Sequence, residues 1–262
     1  MGDSSFVHLT DLHFADPAGA SWLGLDTGQR LRQVLEVIRS MAIQPLCFVV
    51  SGDLVNGASA ANYEMLRSGL DALDRFGVPV ILALGNHDDR PLFRQIILAQ
   101  EGGDPGAPYY AAHSIGPLRF IVLDSKGGTG GPIEVDEEQL HFLNAELETA
   151  AAATLLVLHH PPLPTAVGDL RARLGNRERL AEIIQGRVSA VLCGHVHFSN
   201  VGCFAGAVCA AAPAVASLLD PSTRVGHRHL DGSGFNLVHL QEGDLVINPV
   251  LLPGAQSEIG RR

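Results

Sequence analysis

The stretch Val78-Pro-Val-Ile-Leu-Ala-Leu-Gly-Asn-His-Asp88 decides the fold, because an apolar run of strand length ends there in a glycine and three polar residues. Short apolar runs with β-branched residues are typical of buried strands. The same junction between an apolar run and polar side chains recurs along the chain. The other polar ends are Asp11-Leu-His13, Gly52-Asp53, His159-His160 and Gly194-His-Val-His197. This recurrence predicts several strands that end at one shared polar site.

Amphipathic helical patterns lie between the strand-like runs. Strands are expected over residues 46–50, 78–84, 119–123, 154–158 and 189–193. Residues 28–40 place apolar side chains at helical spacing, and either Asp26 or Thr27 is available as the N-cap. Similar spacing predicts helices over residues 63–76 and 136–150. We therefore expect an α/β protein.

The composition describes a chain that can bury a large core. It has 262 residues, of which 46% are hydrophobic and 18% are charged, so we expect one domain over residues 1–262. The formal net charge of −10, without a cluster of lysine and arginine, argues against binding to a nucleic-acid polymer. The sequence carries no signal-peptide pattern and no spanning apolar stretch, so we expect no membrane association and a cytoplasmic location.

The four cysteines are Cys47, Cys193, Cys203 and Cys209. They lie inside apolar runs and lack paired spacing such as C-x-x-C, which is typical of zinc knuckles. We therefore expect four buried free thiols rather than disulfides or a cysteine metal site.

The polar ends of the strands carry the donor types of a metal site. In open α/β sheets the ligand crevice lies beyond the carboxyl ends of the strands, where the loops converge. Carboxylate oxygen, amide oxygen and imidazole nitrogen together suit Mn, Fe, Co or Zn better than Ca. The absence of cysteine from the set disfavours a structural zinc site. One such motif arises often by chance, whereas the whole set predicts a catalytic metal centre.

In this order, the motifs D-x-H, G-D, G-N-H-D, a strand-end histidine and G-H-x-H resemble those of the calcineurin-like metallophosphoesterases. The resemblance runs over most of the chain and implies a four-layer α/β/β/α sandwich of two mixed sheets flanked by helices. Within that family, three segments are similar to bacterial class III cyclic-nucleotide phosphodiesterases and glycerophosphodiesterases. They are Leu23-Gly-Leu-Asp-Thr27, Gly85-Asn-His-Asp-Asp89 and His159-His-Pro-Pro-Leu-Pro164.

The resemblance also implies a role for each motif residue. One metal ion would be held by Asp11, His13 and His197. The second ion would be held by Asn86, His159 and His195, with Asp53 bridging both. The two divalent or trivalent ions would be Mn and/or Fe, with Zn or Co also compatible.

Two residues beside these ligands would support the reaction without binding metal. His87 is expected to protonate the leaving oxygen or to stabilise charge on the phosphoryl group, because a near-neutral imidazole can serve either need. Asp88 is expected to orient a neighbouring ligand.

Other histidines allow a structural interpretation. His8 lies on an apolar strand and is expected to pack in the core. Strand alternation predicts that only one of His159 and His160 points at the metals, and we choose His159 from the resemblance. His227 and His229 lie in a turn-rich region, which favours a solvated loop. Arg224 and Arg228 in the same region are expected to be exposed, with contact to a phosphate as the alternative.

Three glycines, Gly52, Gly85 and Gly194, precede motif residues. We expect them to serve backbone turns at strand ends, where a positive φ is required.

The resemblance implies a phosphodiesterase that hydrolyses a small phosphodiester, and the segment 23–27 favours a 3′,5′-cyclic nucleotide such as cAMP. Glycerophosphodiesterase or broad-specificity phosphodiesterase and phosphonate monoester hydrolase activities are the alternatives. No aromatic clamp for a purine is evident, since Trp22 is the only aromatic residue beside that segment. A structural metal protein would saturate its ligands, and a degenerate binding scaffold would normally lack a motif residue that is present here.

The chain from about residue 202 onward differs in composition, because it is rich in glycine and alanine and has only short strand-like segments. We expect residues 202–262 to complete the second sheet and to provide a dimer contact in a homo-oligomer. The turn-rich segment 220–234 is expected to be a substrate cap, an oligomer contact or both.

Overall fold

The computed structural model describes residues 4–16, 22–127, 132–149, 153–165, 173–223, 225–242, 244–254 and 256–261. Most predicted strands and helices are present within these ranges, with ends that differ by a few residues. Among the described helices, none combines the length and the apolar character that crossing a bilayer requires.

The first large sheet has five strands in the order β13-β12-β1-β2-β3. Their bounds are β1 Ser4–Leu9, β2 Phe48–Ser51, β3 Val80–Ala83, β12 Gly234–Gln241 and β13 Asp244–Leu251. Strands β1, β2 and β3 are parallel, whereas β12 pairs antiparallel with β1 and with β13. The carboxyl ends of β1, β2 and β3 therefore lie at one edge of this sheet.

The second large sheet has six strands in the order β4-β5-β6-β7-β9-β8. Their bounds are β4 Ala111–Ile115, β5 Leu118–Val122, β6 Ala153–Val157, β7 Ala190–Cys193, β8 Asn200–Phe204 and β9 Ala207–Ala211. The four inner strands are parallel, and the edge strands β4 and β8 are antiparallel to their neighbours. A small sheet is formed by β10 Leu218–Leu219, β11 Arg228–Leu230 and β14 Glu258–Arg261.

Helices cover the outer faces of both large sheets. They are α1 Thr27–Ser40, α2 Ala60–Asp74, α3 Arg90–Leu92 with a π-helical continuation Phe93–Ile97, α4 Glu137–Thr149 and α5 Arg177–Ile184. Helices α1 and α2 share one buried core with the first sheet, and α4 and α5 share another with the second. Asp26, one of the two predicted caps, accepts a hydrogen bond from the Gln29 amide at 2.8 Å.

A third core lies between the two large sheets and joins them face to face. Phe6 of the first sheet meets Phe120 of the second edge to face, with ring centroids 5.2 Å apart. Both rings are almost fully buried. The layers therefore follow the order helix, sheet, sheet, helix, and the predicted α/β/β/α sandwich of two mixed sheets is confirmed.

The expectation that residues 202–262 complete the second sheet is met only in part. Strands β8 and β9 do extend the second sheet, but β12 and β13 join the first sheet. The physical reason is that β12 pairs with the free edge of β1 over Ser4 to His8, where it covers hydrogen-bonding groups that would otherwise be unpaired.

One prediction about the thiols is wrong. Cys47, Cys193 and Cys209 are buried free thiols, as expected, but Cys203 is exposed. It lies on the edge strand β8, where the side chains alternate between partly covered and exposed positions.

Candidate metal centre

The candidate ligands lie in loops that leave the carboxyl ends of parallel strands in both large sheets. Strand β1 leads into Asp11 and His13, β2 into Asp53, and β3 into Asn86. In the second sheet, β6 leads into His159, and β7 leads into His195 and His197. The face-to-face packing of the sheets brings these loops together, as the crevice rule for α/β sheets predicts.

The backbone at these loops is in an unusual conformation. Asp11, His13, Asp53, His195 and His197 all have a positive φ, between 45° and 73°. The part of the chain that the structure describes has eleven non-glycine residues of this kind, and these five are candidate ligands. A left-handed backbone costs free energy for such residues and persists at functional sites because the surrounding structure enforces it.

The three motif glycines serve close packing more than turns. Gly52 has the expected positive φ of 99°, whereas Gly85 and Gly194 do not. A Cβ atom at Gly85 would collide with the Asp53 carboxylate, and one at Gly194 would collide with the Thr10 hydroxyl. The prediction of a positive φ is therefore wrong for two of the three glycines, whose missing side chains let neighbouring loops approach.

Asp11, His13 and His197 form the first cluster, with potential ligand atoms all within 4.8 Å of one another. The His197 Nε2 lies 3.3 Å from Asp11 Oδ1 and 3.1 Å from His13 Nε2. The His197 Nδ1 lies 2.8 Å from the Ser217 carbonyl, which can only accept, so this nitrogen carries the proton. In the neutral ring, Nε2 then presents a lone pair to the cluster, as a metal ligand requires.

Asp53 and His159 form the second cluster and extend to the first. The His159 Nε2 lies 3.3 Å from Asp53 Oδ2, and its Nδ1 donates to the Ser51 carbonyl at 2.9 Å. Asp53 Oδ2 is also 3.7 Å from His13 Nε2, so this carboxylate lies between the two clusters. Burial alone would lower the pKa of His159, but the Asp53 carboxylate outweighs it and raises the pKa to about 9.

The donor atoms fit bound cations. Asp11 Oδ1 and His159 Nε2 are buried and have no hydrogen-bond partner among the described residues. The other oxygen of Asp11 accepts from the Thr10 hydroxyl and the His195 amide, which leaves Oδ1 directed at the histidines. Buried polar atoms normally have partners, and a positive ion between these atoms would satisfy them.

Asn86 and His87 lie on the loop after β3, against Asp53. The His87 amide donates to Asp53 Oδ1 at 2.9 Å. The half-buried His87 ring is perpendicular to that of His13, with centroids 4.8 Å apart. Asn86 is exposed and lies between Gly85 and His87 in the chain.

Asp88 holds two loops together. Its buried carboxylate accepts hydrogen bonds from the amides of Gly85, Leu54 and Val55 at 2.7, 3.2 and 3.1 Å. Burial, together with the nearby Asp53, raises its pKa to about 7 although these bonds oppose the shift. The geometry agrees with the expected supporting role, because Asp88 fixes the Asp53 loop against the Asn86 loop.

His160 lies close to His159 and His195, and the choice of His159 rather than His160 as the ligand stays a prediction. Its potential ligand nitrogen lies within 4.8 Å of those of His159 and His195. Strand alternation does not apply here, because β6 ends at Val157. The His160 Nδ1 is 2.9 Å from the Ser125 hydroxyl, while its buried Nε2 has no partner within the described part of the chain.

Three further histidines were interpreted from the sequence as structural or exposed, and the structure agrees for two of them. His8 is fully buried, and its Nε2 is 2.9 Å from the Ser51 hydroxyl, as expected for a structural residue. His227 is exposed, in agreement with the prediction. His229 is buried in β11 with its ring centroid 5.9 Å from that of His197, so the solvated loop is wrong for this residue.

The structure describes only one of the two arginines, Arg224 and Arg228, that were expected to be exposed in the segment 220–234. Arg228 forms ion pairs with Asp220 and Glu258, at 2.6 and 3.0 Å. These pairs hold its guanidinium at the rim of the small sheet. Arg224 lies outside the described residues.

Sequence reasoning missed the position of Trp22. Its indole is 3% exposed and stacks on the His13 ring, with centroids 3.7 Å apart and planes 7° apart. A side chain this buried offers no face to a purine. The only sequence signal was its place beside segment 23–27.

A family model described as calcineurin-like phosphoesterase matches residues 4–199. This range includes every motif residue proposed from the sequence. Among curated relatives, a protein of Rhodococcus erythropolis named probable cyclic nucleotide phosphodiesterase is 33% identical, over 97% of this chain and 85% of its own length.

Two further relatives are named for cyclic nucleotides. A cAMP/cGMP dual specificity phosphodiesterase of Mycobacterium tuberculosis is 31% identical, over 98% of this chain and 82% of its own length. The 3′,5′-cyclic adenosine monophosphate phosphodiesterase CpdA of Escherichia coli is 30% identical, over 73% of this chain and 68% of its own length.

Solved structures show the same fold at low identity. A purple acid phosphatase from yellow lupin has a TM-score of 0.67 and 15% identity, over 95% of this chain and 51% of its own. GAP50 of Plasmodium has a TM-score of 0.66 and 17% identity, over 95% of this chain and 84% of its own.

Proposed function

Because the chain belongs to the calcineurin-like phosphoesterase family, we propose that this metal-dependent phosphodiester hydrolase acts on a 3′,5′-cyclic nucleotide such as cAMP. The observation that carries the proposal is the alignment of relatives named for cyclic nucleotides over nearly the whole chain. A likeness of this extent includes the C-terminal segment, which lies outside the matched family model.

The metal centre of the family is dinuclear, and we propose specific ligands for it here. The first ion would be held by Asp11, His13 and His197. The second would be held by Asn86, His159 and His195, with Asp53 shared between the two. The mixed oxygen and nitrogen donors favour Mn and/or Fe, with Zn or Co as the other compatible ions.

The residues of this chain position the substrate and move a proton. When bound, the two metal ions supply positive charge for the phosphate oxygens and lower the pKa of the attacking water. His87 stands beside the cluster without a metal-ligand role and holds the proton that the departing ester oxygen takes up. Asp88 accepts hydrogen bonds from both the loop that carries Asp53 and the loop that carries His87, and so holds the two loops together.

A second candidate is hydrolysis of a glycerophosphodiester or a broader range of diesters and phosphonate monoesters. Trp22 is buried against His13, so it does not clamp a purine. A relative named glycerophosphodiester phosphodiesterase GpdQ, of Enterobacter lignolyticus, is 29% identical over 73% of this chain and 70% of its own length.

The test is a comparison of specificity constants on protein reloaded with Mn²⁺. The substrates are 3′,5′-cyclic AMP, 2′,3′-cyclic AMP, glycerophosphoethanolamine, bis(p-nitrophenyl) phosphate and p-nitrophenyl phosphate. We expect 3′,5′-cyclic AMP to have the largest kcat/KM. A higher value for glycerophosphoethanolamine, or for the synthetic diester with poor use of every nucleotide, would overturn the choice of substrate.

Two variants control for contaminating hydrolases. Asp53→Ala should lose turnover of every substrate, because it removes the carboxylate between the clusters. Asp71→Ala removes an exposed carboxylate of α2 and should keep full turnover. Equal activity of Asp53→Ala and the unmodified protein would contradict the proposed site.

We also propose a cytoplasmic location and a homo-oligomeric state for the protein. Light scattering of the purified chain tests the second point. A mass equal to that of one chain across the accessible concentration range would contradict it.

A further inference from the structure

His13 of the first cluster differs from three other histidines of the site in the hydrogen bonding of its Nδ1 atom. His159, His160 and His197 each have Nδ1 at 2.8–2.9 Å from a backbone carbonyl or a serine hydroxyl. The Nδ1 of His13 is buried and has no hydrogen-bond partner among the described residues. Metal-binding histidines are usually fixed by a hydrogen bond to the second nitrogen, and the described part of the chain shows no such bond for His13.

Trp22 instead packs on the face of the His13 ring. The two rings are nearly parallel, at 7° and 3.7 Å between centroids, so the indole covers one whole face of the imidazole. Trp22 also lies against His197, with centroids 5.5 Å apart. One side chain thus contacts both candidate histidine ligands of the first ion.

The indole is itself fixed by a residue of the C-terminal segment. Its Nε1 donates to the Ser217 hydroxyl at 3.0 Å. The carbonyl of the same serine accepts from His197 Nδ1, and its hydroxyl is 3.2 Å from His229 Nδ1. Ser217 is fully buried, so these bonds form away from competing water.

These contacts link a loop near the start of the chain to the segment beyond the matched family model. Trp22 and Ser217 are 195 residues apart in sequence. The His229 ring is nearly perpendicular to the indole, with ring centroids 5.4 Å apart and planes at 85°. Ser217 and His229 therefore pack against Trp22 and His197, which both contact the His13 ring.

We propose that Trp22 is a positioning residue, which holds the His13 imidazole by stacking and thereby sets the affinity of the first metal site. The proposal rests on the two-metal site described above. Its physical basis is that a ring whose Nδ1 has no hydrogen bond among the described residues keeps the rotamers that packing allows, and stacking confines them. The second metal site, with its own carbonyl-bound histidine, does not depend on Trp22.

The test is a titration of the metal-free full-length protein with Co²⁺, followed by metal content and by tryptophan fluorescence. Trp22 is the only tryptophan in the chain, so all tryptophan emission comes from a side chain stacked on His13. We expect Co²⁺ to quench the emission as the first site fills. Binding of two ions per chain without any change in emission would overturn the proposal.

Variants separate stacking from folding. Trp22→Leu should weaken one of the two Co²⁺ binding steps by about 10–100-fold, the usual effect of losing a group that orders a ligand. Trp22→Phe, which keeps an aromatic face but loses the indole donor, should weaken it less. Phe76→Leu, which disrupts the distant aromatic pair of Phe48 and Phe76, is the matched control and should leave both steps unchanged.

The outcomes distinguish this proposal from the metal site on which it rests. Unchanged affinities at both sites in a folded Trp22→Leu variant would overturn the positioning role and leave the two-metal site intact. Failure of the unmodified protein to bind two ions would instead remove the two-metal site. If Trp22→Leu does not fold, Trp22→Phe and the emission of the unmodified protein still decide the question.

Discussion

At the residue scale, the site depends on contacts made behind the histidine rings. Ser51 and Ser217 carbonyls accept from the Nδ1 atoms of His159 and His197, so the neutral form of each ring presents Nε2 as the ligand atom. These partners were absent from the motif, and nothing in the sequence pairs residues so far apart. The ligand types were predictable from the motifs, whereas the orientation of each ring was not.

Substitution of His159 and of His160 should give different metal contents. His159 lies 3.3 Å from the shared Asp53 carboxylate, so His159→Ala should lower the bound metal from two ions to about one per chain. His160 lies near His159 and His195 and is fixed by Ser125, so His160→Ala should keep both ions. Elemental analysis of the two variants measures this, and the reverse order would show that His160 is the ligand.

Removal of His87 should affect turnover and leave metal binding intact. We expect His87→Ala to lower kcat by about 10²–10⁴-fold, the usual contribution of a general acid or base. The His87 ring lies beside the His13 ring of the first cluster. The hydrogen bond from the His87 backbone amide to Asp53 does not involve the ring and remains after the substitution. Full turnover with an unchanged metal content would show that His87 has no part in proton transfer.

At the scale of elements, the loops after β1, β2, β3, β6 and β7 meet because the strands are parallel and the sheets face each other. The apolar runs and helical periodicity predicted most of these elements. The C-terminal strands could not be assigned to a sheet from sequence, since β12 pairs with β1 across more than 220 residues. His229, which local turn residues indicated as exposed, is buried in β11, which pairs with β10 and β14.

The contact between the β2 and β3 loops gives a test at this scale. Gly85→Ala would place a methyl group into the Asp53 carboxylate, so it should destabilise the protein by about 1–3 kcal/mol and weaken metal binding. Gly106→Ala adds a methyl group at ordinary contact distance from Asp104 and should change neither quantity. Urea unfolding and a Mn²⁺ titration of both variants measure the effects. Equal behaviour of the two variants would contradict the close approach.

At the scale of the whole molecule, the metal site joins the two sheets. Asp11, His13 and Asp53 follow strands of the first sheet, whereas His159 and His197 follow strands of the second. Ions held by both groups would connect the halves of the sandwich. The composition could predict a large buried core, but the join between the sheets depends on packing that periodicity does not encode.

Metal removal should therefore lower the stability of the entire fold. Mn²⁺ at about 100 times its Kd should stabilise the folded state by about 2.7 kcal/mol for each site that it fills. Thermal unfolding with Mn²⁺ and with a chelator measures the change. An unchanged Tm would contradict binding of the ions by the folded sandwich.

The account as a whole rests on two ions that share Asp53, and metal stoichiometry tests it most directly. Elemental analysis of Mn²⁺-loaded protein should find two ions per chain, about one in Asn86→Ala and fewer than one in Asp53→Ala. Asp53 contacts both clusters, whereas Asn86 is assigned to the second ion alone. Equal metal loss in the two variants, or two ions retained without Asp53, would contradict the shared site.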